Sequence, residues 1–183
     1  MYGSSSICQS MYFNMRALRH VRSTLTEDTA AVLAVPLVQS RLGYANYILF
    51  KTSTSNIKNL QRAQNTLARI VLPNLWSTPV AFLVLRLRWL PVISRIKYKL
   101  ATIAYKSLSV AQPTYLHLLL QQYQPTRSLR SGSQSLLALP TLSSEFDRHA
   151  FSYCAPSVWN KLPLFIRSLN SFSSFKSHIK ARA

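Results

Sequence analysis

The residues of this chain best placed to do chemistry are cations on a helical rhythm. Lys58, Arg62 and Arg69 recur at steps of four and seven, and Arg95, Lys99 and Lys106 repeat the pattern. On an α-helix each set falls on one face. Such a row of cations can neutralise phosphates along a nucleic-acid backbone with little regard to base sequence. Arg127 and Arg130, flanking Ser128-Leu129, add two more. The bland alternative is a solvated helix face. It is weakened by the lack of counter-charge: in 183 residues Lys and Arg number 22 and Asp and Glu 4, so the net charge is 22 − 4 = +18. RNA or DNA is the natural source of the missing negative charge.

The scarcity of acids also excludes chemistry. The carboxylates are Glu27, Asp28, Glu145 and Asp147, two adjacent pairs near opposite ends. That is poor material for a two-metal nucleotidyl transferase or for the spaced carboxyl pair of a glycosidase. Glycine occurs at Gly3, Gly43 and Gly132 alone, so neither a P-loop nor a dinucleotide fingerprint can be drawn. Cys8 and Cys154 make no disulfide framework, and His20, His117, His149 and His178 have no metal-ligand spacing. No cofactor and no metal are expected. Asp147, His149 and Cys154 could be drawn as a catalytic set, but nothing in the sequence orients a nucleophile. A turn is the better expectation for Glu145 and Asp147.

Tyr44, Tyr47, Tyr98, Tyr105, Tyr115 and Tyr123 lie among the cations. They could stack on unpaired bases, but amphipathic aromatics more often pack at the edge of a core. Gln61, Gln64 and Asn65 could hydrogen-bond base edges or ribose hydroxyls. A polar contact between helices, or solvent, is the favoured reading for them.

These groups must be positioned by helices. A short basic helix is expected over Met11–Arg22, with Arg16, Arg19 and Arg22 at spacing three. Thr26 caps the next, with Glu27 and Asp28 in its first turn, and Pro36 kinks or splits it. Ser55 or Asn56 caps a helix whose stripe is Ile57, Leu60, Leu67 and Val71, interrupted by Gln64, and Pro73 ends it. Thr78 caps another, with Pro79 first and Val80, Leu83, Val84 and Leu87 inward. Trp89-Leu90-Pro91 is a hinge, and Pro91 opens a helix with stripe Val92, Ile96, Leu100 and Ile103. A short helix starts at Pro113-Thr114 and runs through Leu120.

The character changes at Gln121. Residues 121–144 read as a Ser/Gln/Pro-rich linker with one apolar run, Leu136–Leu139, that could form a strand. Phe146–Pro163 is compact and aromatic, with Trp89, Pro91, Pro156 and Trp159 in structural roles. Ser171–Lys180 is a last helix with Phe172, Phe175 and Ile179 on one side. The expected class is mainly α: a helical bundle, then a loop-rich C-terminal extension with a few short strands and a terminal helix. Apolar runs such as Ala30–Val38 fall short of the roughly 20 residues a membrane span needs. Met1–Ser10 lacks the build of a signal peptide, and its abrupt start suggests a fragment. No membrane is expected, and an intracellular site, nucleus or cytoplasm, is.

Several blocks, in order, resemble one family. Leu60-Gln61-Arg62-Ala63-Gln64-Asn65-Thr66-Leu67-Ala68-Arg69 is similar to a segment beyond the polymerase palm in non-LTR, LINE-type retrotransposon reverse transcriptases of the jockey-like and chicken-repeat-like groups. Leu87-Arg88-Trp89-Leu90-Pro91-Val92 with Arg95-Ile96-Lys97-Tyr98-Lys99 resembles the next block. Tyr105-Lys106-Ser107-Leu108, Pro113-Thr114-Tyr115-Leu116 and Arg127-Ser128-Leu129-Arg130-Ser131 continue it. Ala155-Pro156, Trp159-Asn160, Leu162-Pro163 and Ser174-Phe175-Lys176 resemble the end of that reading frame. Upstream, Arg41-Leu42-Gly43-Tyr44-Ala45-Asn46 is also similar, with Gly43 and Ala45 where the family often has Asp and Cys. Arg88 likewise stands where His is frequent.

The resemblance implies the thumb and C-terminal extension of such an enzyme, without the palm and its paired aspartates. It divides the chain into a thumb-like region over residues 1–120, the linker over 121–144 and the aromatic extension over 145–183. It implies a non-catalytic segment that helps hold template RNA and target DNA, with the missing palm and fingers as a further partner. Three rivals stand beside it: a ribosomal-type structural RNA-binding protein, an enzyme in its own right, and a relic reading frame without function.

Overall fold

A computed structural model of the chain describes residues 3–40, 50, 52–75, 77–125, 134–144 and 146–182. The protein is mainly α-helical. Its helices are α1 (Gly3–Val21), α2 (Glu27–Ala34), α3 (Thr54–Val71), α4 (Val80–Arg86), α5 (Val92–Val110), α6 (Thr114–Leu118), α7 (Phe151–Trp159), α8 (Leu164–Arg167) and α9 (Phe172–Ala181). Two compact units, Met1–Arg95 and Ile96–Ala183, divide inside α5. The changes of character read from the sequence lie elsewhere, at 120 and 144.

In the first unit α3 is central and packs against α1, α2 and α4. Leu60, Ala63, Leu67, Ala68 and Val71 line its buried side, and Met11, Met15 and Leu18 are buried on α1. The expected helix at Met11 begins already at Gly3, so α1 runs through the polar Ser4-Ser5-Ser6. The α2 start follows its residues: the Thr26 hydroxyl accepts the Thr29 amide, and Glu27 and Asp28 sit where the helix dipole favours anions. The α-helix ends at Ala34, just before Pro36, and the chain continues past it as a different kind of helix. Val35–Gln39 widens into a π-helical turn, one way a helix absorbs a proline without an N–H.

Two caps fall one to three residues from their expected places. Ser53, not Ser55 or Asn56, caps α3 by accepting the Asn56 amide. Pro79 is the N-cap of α4, and Thr78 makes no cap bond there. The far end of α3 is closed by a side chain from the end of α1. The Arg22 guanidinium donates from Nε to the carbonyls of Ile70 and Val71, from Nη2 to Val71 at 2.9 Å, and from Nη1 to Leu25 at 2.6 Å. A cation on the last carbonyls of a helix also meets its negative dipole end. Arg22→Gln should therefore cost about 2 kcal/mol of stability, with Arg22→Lys recovering part of it. Urea unfolding checks this, and an unchanged midpoint for Arg22→Gln would show the cap to be idle.

In the second unit α9 supplies the anchor. Phe175 is fully buried and Ile179 nearly so. Tyr105 stacks on Phe172 and Phe175, with centroids 5.7 and 4.3 Å apart, and Trp159 meets Phe175 at 5.9 Å. The expected loop-rich, partly stranded extension is more helical than its composition suggests. Phe151–Trp159 is a helix with Pro156 inside it, because the loss of one amide bond there is offset by burial of Cys154, Ala155, Pro156, Val158 and Trp159. Among the described residues the extended pairing is a single antiparallel bridge, Gln122 with Leu137.

That bridge has its own logic. Tyr123 N–H donates to the Leu136 carbonyl and Ala138 N–H to the Gln121 carbonyl, so both ends of the linker pair with each other. The amide and carbonyl of Leu137 remain to be satisfied. The Asn160 side chain does so: its Oδ1 accepts Leu137 N–H at 2.9 Å and its Nδ2 donates to the Leu137 carbonyl at 2.8 Å. One carboxamide thus takes the place of a third strand, and a full strand is not needed to satisfy the run Leu136–Leu139.

Candidate nucleic-acid interface

The α3 face forms as its spacing predicts. Lys58 and Arg62 are exposed, whereas Asn65 and Arg69, further along the same face, are half-buried. On α5, Lys99 and Lys106 are exposed and Arg95 is half-buried. Thr102, between the two lysines, is buried, and its hydroxyl bonds back to the carbonyls of Tyr98 and Lys99. The basic row on α5 therefore dips at its middle instead of running flat. Burial lowers the Arg95 guanidinium from its ordinary value by penalising the charge. A partly desolvated cation interacts more strongly with an approaching phosphate than one fully in water. Arg127 and Arg130 lie outside the described residues, as do Tyr44 and Tyr47.

Lys106 has a second feature. Its ammonium lies 5.0 Å from the Phe172 ring centroid, and Lys176 lies 5.3 Å from the same ring. Both amines are thus held beside one aromatic face of α9, each with its remaining donors open to an anion. Lys176 was not among the cations singled out by spacing, because its partner on the ring is 70 residues away in sequence (176 − 106). The signal present was Ser174-Phe175-Lys176 beside Phe172, an aromatic–cation alternation on one helix.

Two of the described acids are engaged. Arg86 pairs with Glu27 at 3.1 Å, and both side chains are partly exposed. Such a pair contributes little. The Asp147 carboxylate accepts the Ser143 hydroxyl and the Ser144 amide, each at 2.8 Å, and these bonds hold it below the usual carboxylate range. It lies in a short 3-10 helix, Phe146–His149, where a turn was expected. Cys154 is buried and donates Sγ–H to the Arg148 carbonyl at 3.1 Å. Glu145 lies outside the described residues.

The amides on α3 do structural work. Gln64 is completely buried, and its Nε2 donates to the Leu90 carbonyl at 2.9 Å. Gln61 Oε1 accepts Val92 N–H at 2.9 Å, filling one of the open amides at the start of α5. Gln61 Nε2 in turn donates to Gln64 Oε1 and Asn65 Oδ1. The three amides clamp the turn Trp89-Leu90-Pro91 and so fix where α5 begins. Arg88 takes a left-handed φ of 54° in that turn, a cost for a non-glycine residue that the surrounding bonds hold in place. Trp89 is buried and its backbone N–H donates to the Val84 carbonyl, while Pro91, two residues on, is exposed.

Tyrosine follows the same rule. Tyr105 is nearly buried, and its hydroxyl donates to the Leu169 carbonyl at 2.8 Å instead of pointing outward. It is therefore unavailable for stacking. Tyr115 is well exposed and Tyr123 moderately so. Trp159 Nε1 donates to the Ser135 carbonyl, which places this tryptophan, with buried Pro156, in the frame of the second unit. Among the described residues no group of three His, Cys, Asp or Glu is arranged to hold a metal ion. Nor is any helix of the described residues long and apolar enough to cross a membrane.

No family model, no curated protein and no solved structure matches the chain.

Proposed function

We propose that this chain is a nucleic-acid-gripping segment, equivalent to the thumb and C-terminal extension of a non-LTR retrotransposon reverse transcriptase and without polymerase chemistry of its own. The observation that carries the reading is the exposure of Lys58 and Arg62 on α3 and of Lys99 and Lys106 on α5, in a chain with a net charge of +18. Each set holds to one face of its own helix. Arg95 and Arg69 deepen these faces, and Arg127 and Arg130 extend the charge along the linker. The partner is the phosphate backbone of RNA or DNA, bound without sequence preference. The compartment that fits is nucleus or cytoplasm, where such partners are found.

The first unit also exposes Phe13 and Leu85, at 74% and 73%, with Val32 and Phe82. Apolar groups this exposed favour a second partner of protein character, and the palm and fingers of a polymerase supplied by another chain fit that part. A ribosomal-type role would use the same cations. A relic without function would leave them unused.

The test is salt. If about six phosphates are met on duplex, log affinity falls with log salt at a slope near −5. Binding of unrelated duplexes and hairpins of equal length should show the same slope within error. A flat response would remove the gripping role, and a single strongly preferred sequence would replace it with specific recognition.

A further inference from the structure

The second unit contains a cavity of about 490 Å³, in the range of small-molecule sites. Arg167, at the end of α8, lines it. This side chain is only 9% exposed, and its Nε and Nη1 are buried with no hydrogen-bond acceptor among the described residues. An arginine keeps its charge and carries donors on every nitrogen. A buried cation without an acceptor is among the costlier arrangements a fold can keep. Asp147, the described acid of the same unit, is occupied by Ser143 and Ser144.

The rest of the wall suits an anion with an organic body. Asn170, Gln122 and Ser109 bring polar side chains to the cavity, and His117 also lines it. The His117 ring is oriented by the contact of Nδ1 with the Ser107 carbonyl at 2.7 Å, which leaves Nε2 as its other polar atom. The opposite character comes from Leu108 and Leu120. A carboxylate presents two oxygens to this donor set, whereas a phosphate monoester presents three strong acceptors and up to two negative charges.

We propose that the Arg167 cavity is a binding site for a phosphomonoester, with the guanidinium on the phosphate and the organic part along the leucine side. The ligand is either a small phosphorylated molecule or the 5′-phosphate of a nucleic-acid end, which share this chemistry. The site does not depend on the basic faces of α3 and α5.

Calorimetry and thermal unfolding of the full chain at constant ionic strength test it, using inorganic phosphate, a nucleoside 5′-monophosphate and the unphosphorylated nucleoside. The monophosphate should bind saturably and raise the unfolding temperature, and the nucleoside should do neither. Arg167→Met should weaken the monophosphate at least tenfold and abolish its thermal shift while leaving the unliganded protein as stable or more so. Arg167→Lys, which keeps the charge, should fall between, and Lys180→Gln should bind as the parent does. Oligonucleotides with and without a 5′-phosphate then separate the sources. A preference for the phosphorylated end that Arg167→Met removes assigns the end, and no preference assigns the small molecule. Equal monophosphate binding by the parent and Arg167→Met, or none by the parent, overturns the proposal. These readings use no extended backbone, so they stand or fall apart from the salt slope.

Discussion

Reversing Arg62, Arg95 and Lys99 together to Glu should weaken binding of every nucleic acid alike, by about a thousandfold near physiological salt. The magnitude follows from counterion release. Losing three phosphate contacts, each worth about 0.9 in the salt slope, removes roughly two logarithms of affinity at 0.15 M, and three new repulsions add about one more. The slope itself should flatten by about 3. Arg95 is half-buried, so its reversal also taxes the fold. Circular dichroism and a second variant, Lys58→Glu with Arg62→Glu and Lys99→Glu at exposed positions only, separate the two effects. Electrophoretic or fluorescence titration over several salt concentrations reads the outcome. Affinity and slope both unchanged in the exposed-position variant would mean that the cations on α3 and α5 are ordinary solvated charge.

Periodic features were legible in the sequence because their cause is local. The stripes of α3, α5 and α9, and the Thr26 cap with its two acids, follow from spacing and from one turn of helix. What escaped was decided by distant partners. Arg22 looked like one more cation at spacing three, yet its guanidinium serves carbonyls 48 and 49 residues away. Gln64 looked like a fault in an apolar stripe, and its amide proves fully buried on the Leu90 carbonyl. The favoured reading of a polar contact between helices holds for Gln61 and Gln64. Their particular acceptor and donor could not be read, because they lie 26 and 31 residues on, in the turn before α5 and at its first residue.

The second unit hid more. The aromatic stretch Phe146–Pro163 carried no helical reading, and propensity penalises a proline inside a helix such as Phe151–Trp159. Burial of Pro156 and four neighbouring side chains outweighs one lost bond. The strand expected at Leu136–Leu139 shrank to one bridge because Asn160 satisfies the same backbone groups from its side chain. Arg167 carried no signal at all. It is a lone arginine among apolar residues, and only the cavity around it shows that its Nε and Nη1 lack acceptors among the described residues.

Trp159→Ala is the substitution expected to damage stability most. The side chain is 3% exposed, meets Phe175 and donates Nε1–H to the Ser135 carbonyl. Deleting it removes a large apolar surface and leaves a void beside the cavity already present, at a cost of about 3–5 kcal/mol. Trp159→Phe retains most of the packing and loses the hydrogen bond, leaving the Ser135 carbonyl without its donor, for about 1–2 kcal/mol. Ser135 sits at a left-handed φ of 50°, so that bond also holds a strained residue in place. Asn160→Ala acts on the next link: both backbone groups of Leu137 lose their partner, which should cost about 2–3 kcal/mol while barely changing buried apolar area. Unfolding followed by circular dichroism, since the first variant deletes one of three tryptophans, should rank them Trp159→Ala, Asn160→Ala, Trp159→Phe. If Asn160→Ala unfolds at the parent midpoint, the side chain does not serve as a third strand. The second unit then rests on the Tyr105, Trp159 and Phe175 cluster alone.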